Sequence, residues 1–260
     1  TQFKMQLVIN MKDIFSVKNK IIVITGAGKG IGFFLANELS NRSAIIYAID
    51  KTFPKKNKKN NYYQKKCDIT NKTQLKNICK NILRNSKRID VLINNAGITL
   101  PNKSSQDYSL YNWKKTLDVN LTGSFVCTQI IGKIMKKQCN GSIINITSIN
   151  AELGFPNNPA YVASKGGLKM LTKSLAKDLG KYGIRVNNLG PGYFVTDMTK
   201  NSYHNRKSRT VRQKHTLLGR WGNLSELVGP CIFLASNASA YVTGQDLYVD
   251  GGWITNGLVE

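Results

Sequence analysis

The chain has 260 residues, 38 Lys and Arg against 14 Asp and Glu, and a formal net charge of +24. That length makes one large domain or two small ones, and 41% hydrophobic residues supply a full core, which excludes a disordered polycation. No apolar run approaches the roughly 18–20 residues of a membrane helix, and no early stretch is long enough for a signal peptide.

Residues 1–17 read as an N-terminal arm, with residues 1–10 outside the fold and Met11 a natural-looking start. From residue 18 to 260 the pattern alternates. Lys20–Thr25 is a short apolar strand, followed by a Gly-rich turn and the helical stretch Ile31–Ser40. Ala44–Ile49 is a second strand and Tyr62–Lys66 a weak third. Thr70–Ser86 has helical spacing through Leu75, Ile78, Cys79, Ile82 and Leu83. Val91–Asn94 is a strand, Asn112–Gln138 a long helix, Ser142–Thr147 a strand and Pro159–Lys181 a helix. Arg185–Leu189, a helix over Ser225–Ala235, and a last strand over Asp246–Val249 complete the series. Strands alternating with helices require right-handed crossovers, so the expected fold is α/β: a single-domain Rossmann fold, a doubly wound parallel sheet with helices on both faces. Ligands bind such a sheet at the carboxyl ends of its strands.

The five cysteines have no C-x-x-C spacing, which argues against a disulfide framework and for reduced thiols in the cytoplasm. With two histidines, a His-based metal site is not expected. The basic residues are mostly Lys and are spread along the chain, dense only over residues 51–66 and 200–220. A solvated basic surface explains them, and nucleic acid is not an expected partner because no aromatic-basic reading motif accompanies them.

The first strand runs into Thr25-Gly26-Ala27-Gly28-Lys29-Gly30-Ile31-Gly32. Strand, glycine turn and helix start follow the order a dinucleotide pyrophosphate requires, with free N–H groups and the positive dipole end facing the phosphates. Asp50 closes the second strand, where a carboxylate accepts hydrogen bonds from both adenosine ribose hydroxyls and repels a 2′-phosphate. That favours NAD; Lys29 and Lys51 pull toward NADP, which stays open. Tyr161-Val-Ala-Ser-Lys165 sits on the helix starting at Pro159, so Tyr161 and Lys165 share one face. An ammonium there lowers the phenol pKa from about 10 and makes Tyr161 a usable acid/base. Ser148 lies just beyond a strand, on the same edge as the glycine turn.

With these pieces in order, the chain resembles the short-chain dehydrogenase/reductase family from about Lys18 to Gly257. The matching residues are Thr25–Gly32, Asp68, Asn94-Asn95-Ala96-Gly97, Asn120, Ser148, Tyr161, Lys165, Pro191-Gly192 and Val249-Asp250-Gly251-Gly252. The resemblance implies catalytic roles for Asn120, Ser148, Tyr161 and Lys165. Tyr161 would be the general acid/base, Lys165 would bind the nicotinamide ribose and tune Tyr161, Ser148 would hold the substrate oxygen, and Asn120 would bind a water linking Lys165 to solvent. It implies cofactor contacts from Gly26, Lys29, Gly30, Ile31, Gly32, Asp50, Asp68, Ile69, Asn94, Ala96, Gly97, Tyr161, Lys165, Pro191, Gly192, Phe194 and Thr196, and no metal.

Tyr161–Thr172, Gly190-Pro-Gly-Tyr-Phe, Leu218-Gly-Arg-Trp-Gly and Tyr248-Val-Asp-Gly-Gly-Trp are similar to gluconate 5-dehydrogenase and 2-deoxygluconate 3-dehydrogenase-like members. This implies a secondary alcohol and ketone interconverted on a sugar acid or similar anionic substrate, held by Ser148, Glu152 and Tyr161. Residues 193–222 correspond to the family's substrate lid, here carrying Lys200, His204, Arg206, Lys207, Arg209, Arg212, Lys214, His215 and Arg220. The stretch between Asp50 and Asp68 is short, so a loop must replace the usual crossover helix. Dihydrodihydroxybenzoate dehydrogenases share that shortening, which keeps a cyclic dihydrodiol as an alternative substrate. A 3-oxoacyl-[acyl-carrier-protein] reductase is the main enzyme alternative, and a nucleic-acid-binding protein on an idle fold the non-enzyme one. The resemblance also implies a homotetramer that packs the long helix and the Tyr161 helix against partners.

Overall fold

A computed structural model describes residues 13–100 and 103–256. Seven strands form one parallel sheet in the order β3-β2-β1-β4-β5-β6-β7. They are β1 (Ile21–Thr25), β2 (Ile45–Asp50), β3 (Tyr62–Lys66), β4 (Val91–Asn94), β5 (Gly141–Ile146), β6 (Ile184–Pro191) and β7 (Asp246–Val249). The chain reverses its direction of travel across the sheet between β1 and β4, which opens a crevice at their carboxyl ends.

The sheet is covered on both faces because its strand residues alternate between two cores. Ile22 and Ile24 pack with Leu35 and Leu39 of α1 (Gly30–Asn41) and Cys231 and Leu234 of α8 (Val228–Ala235). Ile21 and Val23 pack with Leu75 and Ile82 of α2 (Lys72–Ser86) and Cys127, Ile131 and Met135 of α4 (Ser124–Gln138). Every residue of β1 is buried, which explains why it reads as a continuous apolar run. Asn71 caps α2 by accepting from the N–H of Gln74 at 3.0 Å.

Four features depart from the sequence reading. The long helix starts earlier, at Leu110, and is interrupted. α3 (Leu110–Leu117) passes into a π turn, Asp118–Gly123, before α4. The lid contains two helices, α6 (Lys200–His204) and α7 (Arg206–His215), beyond α5 (Pro159–Gly180). The expected helix over Ser225–Ala235 splits into a 3-10 turn, Leu224–Leu227, and α8. Finally, the packed body begins before residue 18: Val17 is buried in the core, and Ile14 O accepts from Ala238 N at 2.8 Å. Residues 1–12 of the expected arm lie outside the described residues. The loop expected between β2 and β3 is present, with no helix in it, and β3 still pairs parallel to β2.

Candidate active site

The end of β1 is stapled to the end of β4. Thr25 Oγ1 accepts from the N–H groups of Asn95 and Ala96, both at 3.1 Å, and Asn95 Nδ2 donates to the carbonyls of Thr25 and Gly26 at 3.0 and 2.9 Å. The approach is so close that a Cβ on Gly26 would lie 2.6 Å from Ala96 Cα, and one on Gly32 would lie 2.3 Å from Gly26 O. Gly26 and Gly30 have φ of +64° and +59°, a conformation L side chains resist. α1 then starts with no side-chain cap and no acid in its first turn, so its free N–H groups face the crevice. This cradle fits a dinucleotide pyrophosphate.

Asp50 holds the adjoining turn. Its carboxylate accepts from Gly28 N at 2.8 Å and from Thr52 N at 3.2 Å. Lys51, one of the two residues that pulled toward NADP, is drawn to Asp68, with Nζ 2.6 Å from its carboxylate. Burial alone would raise the Asp68 carboxyl, but Lys51 and Thr70 hold it below its ordinary value. The other, Lys29, lies 3.9 Å from Asp197 across the mouth of the cleft, both side chains largely exposed.

The cleft has a volume of about 480 Å³. Its lining includes Gly26, Lys29, Gly30, Ile31, Asp50, Asp68, Ile69, Ala96, Gly97, Ser148, Tyr161, Lys165, Pro191, Gly192, Phe194 and Thr196. Four expected residues are not part of the lining. Gly32 packs on Asn95. Asn94 is buried, donating to Thr128 at 3.0 Å and to Asn145 at 2.8 Å. Glu152, expected at the substrate, pairs with Lys169 and accepts from Tyr248 Oη at 2.7 Å, outside the lining.

Asn120 is the fourth. It sits in the π turn with its side chain fully engaged: Oδ1 accepts from Ile98 N at 2.8 Å, and Nδ2 donates to Ile98 O at 3.0 Å and Ser164 Oγ at 3.1 Å. In this arrangement the side chain positions the strand exit. A Cβ built on Gly97 would lie 3.5 Å from Asn120 Oδ1 and 3.7 Å from Lys165 Nζ, so both groups stand behind the same glycine. The π turn carried no signal in the sequence, although such turns gather at functional sites.

Tyr161, Lys165 and Ser148 do meet. Lys165 is buried, donates to Ile146 O at 2.7 Å, and its Nζ lies 5.6 Å from the Tyr161 ring centroid. Burial lowers the Lys165 pKa from 10.5 to about 8. Tyr161 differs from the sequence expectation. Burial pushes its phenol up, opposed by a hydrogen bond with Ser148 and assisted by the nearby Tyr193. Lys165 does not lower the phenol here because its ammonium is aimed at the Ile146 carbonyl. The trio can protonate or deprotonate a substrate oxygen held between Ser148 and Tyr161.

Beyond the expected set, the lining includes Lys115, Asn150, Asn158, Tyr193 and Arg212. Asn158 Nδ2 donates to Thr99 at 2.8 Å, while its buried Oδ1 has no partner among the described residues. Of the lid cations named from the sequence, Arg212 alone lines the cleft. The helical spacing of α7 would have picked it out only once the lid's orientation was known.

A profile of the family described as enoyl-(acyl carrier protein) reductase matches residues 26–254. The chain is 35% identical over 252 residues to the 5-keto-D-gluconate 5-reductase of Escherichia coli K12, covering 94% of this chain and 99% of that protein. It is 40% identical over 188 residues to a 3-oxoacyl-[acyl-carrier-protein] reductase of Synechocystis, covering 72% and 74%. The solved gluconate 5-dehydrogenase of Burkholderia cenocepacia, in complex with NADP and tartrate, superposes with a TM-score of 0.87 at 33% identity over 94% of this chain and 98% of that one.

Proposed function

The chain belongs to the short-chain dehydrogenase/reductase family, as an NAD(P)-dependent dehydrogenase acting on a CH–OH group, and we propose that it interconverts a secondary alcohol and a ketone on a sugar acid. One observation carries the substrate class: the likeness to 5-keto-D-gluconate 5-reductase runs the length of both chains. The cleft adds polar groups suited to a polyol, among them Asn150 and the unpartnered carbonyl of Asn158.

A bound nicotinamide supplies the hydride acceptor in oxidation and the donor in reduction. The glycine cradle and the start of α1 would hold its pyrophosphate, with Asp50, Asp68 and Ile69 on the adenosine side and Pro191, Gly192, Phe194 and Thr196 beyond. Lys165 would hold the ribose. In oxidation, Tyr161 as phenolate would accept the proton of the substrate hydroxyl as hydride leaves the carbon that bears it. In reduction, Tyr161 returns that proton to the forming alkoxide while Ser148 donates a hydrogen bond to it. NAD is the preferred cofactor in this reading, because Asp50 places a carboxylate at the ribose position and Lys51 is occupied by Asp68.

A homotetramer is part of the proposal. Leu110 and Tyr111 of α3, Phe125 of α4 and Met170 of α5 leave apolar side chains exposed on the helices expected to pack against partners. A cytoplasmic setting is also proposed: all five cysteines are free, and no helix among the described residues is long and apolar enough to cross a membrane.

The test follows nicotinamide absorbance with D-gluconate and 5-keto-D-gluconate, with NAD and NADP, beside an acetoacetyl thioester. Turnover of the sugar acids supports the reading. Thioester reduction without sugar-acid turnover would replace it with the second reading, 3-oxoacyl-carrier-protein reduction, which the 40% identical stretch favours.

A further inference from the structure

Arg212 is the one lid cation that reaches the cleft, and several side chains fix it there. Its guanidinium lies over the ring of Tyr193, 4.8 Å from the centroid, and opposes the rise that burial gives that phenol. Nη1 donates to Ser208 O at 3.1 Å. Tyr193 is in turn wedged between Trp221 and Trp253, with ring centroids 5.2 and 4.7 Å away. Trp221 and Trp253 are both buried. The guanidinium therefore has little freedom to swing into solvent.

Its remaining edge is unsatisfied. Arg212 Nε is buried and has no hydrogen-bond partner among the described residues, and no carboxylate there pairs with Arg212. A buried donor without a partner costs stability, more so on a charged group. The cleft that Arg212 lines also contains Tyr161 and Ser148. Tyr193 joins the two ends: its ring carries the Arg212 guanidinium, and it lines the same cleft as Tyr161.

We propose that Arg212 is the anchor for the carboxylate of the substrate, binding it through the part of its guanidinium that lines the cleft and setting which carbinol carbon of the chain lies at Tyr161. This rests on the sugar-acid reading and adds the residue that recognises the acid. A planar guanidinium matches the two oxygens of a carboxylate, and stacking on Tyr193 pre-orients it. Recognition by a fixed fork also explains why the other lid cations, which do not line the cleft, need not contact the ligand.

The test compares the wild type with Arg212→Gln, Arg212→Lys and, as a control on a lid cation outside the cleft, Lys207→Gln. Two readouts are needed: steady-state turnover of D-gluconate beside its uncharged polyol counterpart, D-glucitol, and tartrate binding to the NADH complex by fluorescence. Arg212→Gln should raise the gluconate KM and weaken tartrate by about 10- to 100-fold, with kcat changed far less. Glucitol turnover and NADH affinity should not move, Arg212→Lys should recover part of the loss, and Lys207→Gln should match wild type. Unchanged NADH affinity shows that the variant is folded. Equal losses on gluconate and glucitol, or tartrate binding that ignores the substitution, would overturn the anchor. If wild type fails to oxidise gluconate yet loses tartrate on Arg212→Gln, the sugar-acid reading falls and the carboxylate anchor stands. If wild type binds neither carboxylate, the anchor falls, while turnover of glucitol or a thioester would preserve the dehydrogenase.

Discussion

Lys165 Nζ donates to the main-chain carbonyl of Ile146 across 2.7 Å, so the last residue of β5 holds the ammonium beside the Tyr161 ring. One acceptor does not replace full hydration, and burial brings the Lys165 pKa from 10.5 to about 8. In the free enzyme Lys165 is therefore charged below that value and neutral above it. If the ammonium binds the cofactor ribose, kcat/KM for NADH should be level near neutrality and fall above about pH 8. Lys165→Met should remove that limb and lower activity on the order of 100-fold or more. The stability effect has the opposite sense. Between about pH 8 and 10.5 the unfolded chain binds the extra proton, so stability gains from this residue as pH rises through that window. At neutral pH Lys165→Met should melt no lower than wild type. A flat pH profile in wild type would remove the role.

Gly28 tests the cofactor cradle. A Cβ there would lie 2.2 Å from Thr52 O and 2.9 Å from the Asp50 carboxylate, which accepts from the Gly28 N–H. Backbone on one side leaves no flexible end to yield. Gly28→Ala should weaken NADH by about 10-fold or more and displace Asp50. Gly154→Ala, where a Cβ meets nothing within 4 Å, should bind NADH as wild type does. Calorimetric titration with NADH separates the two outcomes.

Asp50 carries the proposed NAD preference. Asp50→Asn keeps an acceptor for Gly28 and removes the charge that would face a 2′-phosphate. The ratio of kcat/KM for NADP over NAD should rise about 10-fold or more. An unchanged ratio would place cofactor choice elsewhere, with the Lys51–Asp68 pair the next position to vary.

The sheet was legible because buried parallel strands are written as short apolar runs, as in Ile21–Thr25, and the glycine turn that follows has a conformational requirement few other residues meet. Tyr161, Lys165 and Ser148 were legible through position at strand and helix ends. What escaped was set by tertiary contact. Asn94 and Glu152 are polar residues beside the site in sequence, but their side chains are claimed by Asn145 and Thr128 and by Lys169 and Tyr248. The direction of the Tyr161 shift escaped for the same reason: spacing puts Lys165 on its face, while Ile146 decides where the ammonium points. The π turn depends on how α3 and α4 join, which local propensity does not encode.

Asn120 gives a stability prediction from that turn. Replacing it by Ala removes both bonds to Ile98, at 2.8 and 3.0 Å, and the bond to Ser164, leaving part-buried main-chain groups without partners. The cost should be about 1–3 kcal/mol for each group left unsatisfied, read as a lowered midpoint in urea. Activity should fall as well, because Ile98 lies in the cleft lining beside Gly97.

Tyr161 and Ser148 separate chemistry from binding. Tyr161→Phe deletes the phenol hydroxyl and leaves the ring and its approach to Lys165. General acid/base transfer contributes about 100- to 10,000-fold, so kcat should fall by that order while NADH affinity stays within about 3-fold. Ser148→Ala should cost about 100- to 1,000-fold, the scale for one donor to a developing alkoxide. With both hydroxyls on the same substrate oxygen, as proposed, the double variant should lose far less than the product of the single losses. Full multiplicativity, measured by single-turnover reduction with saturating NADH, would mean that they act on different atoms and would assign Ser148 to another contact.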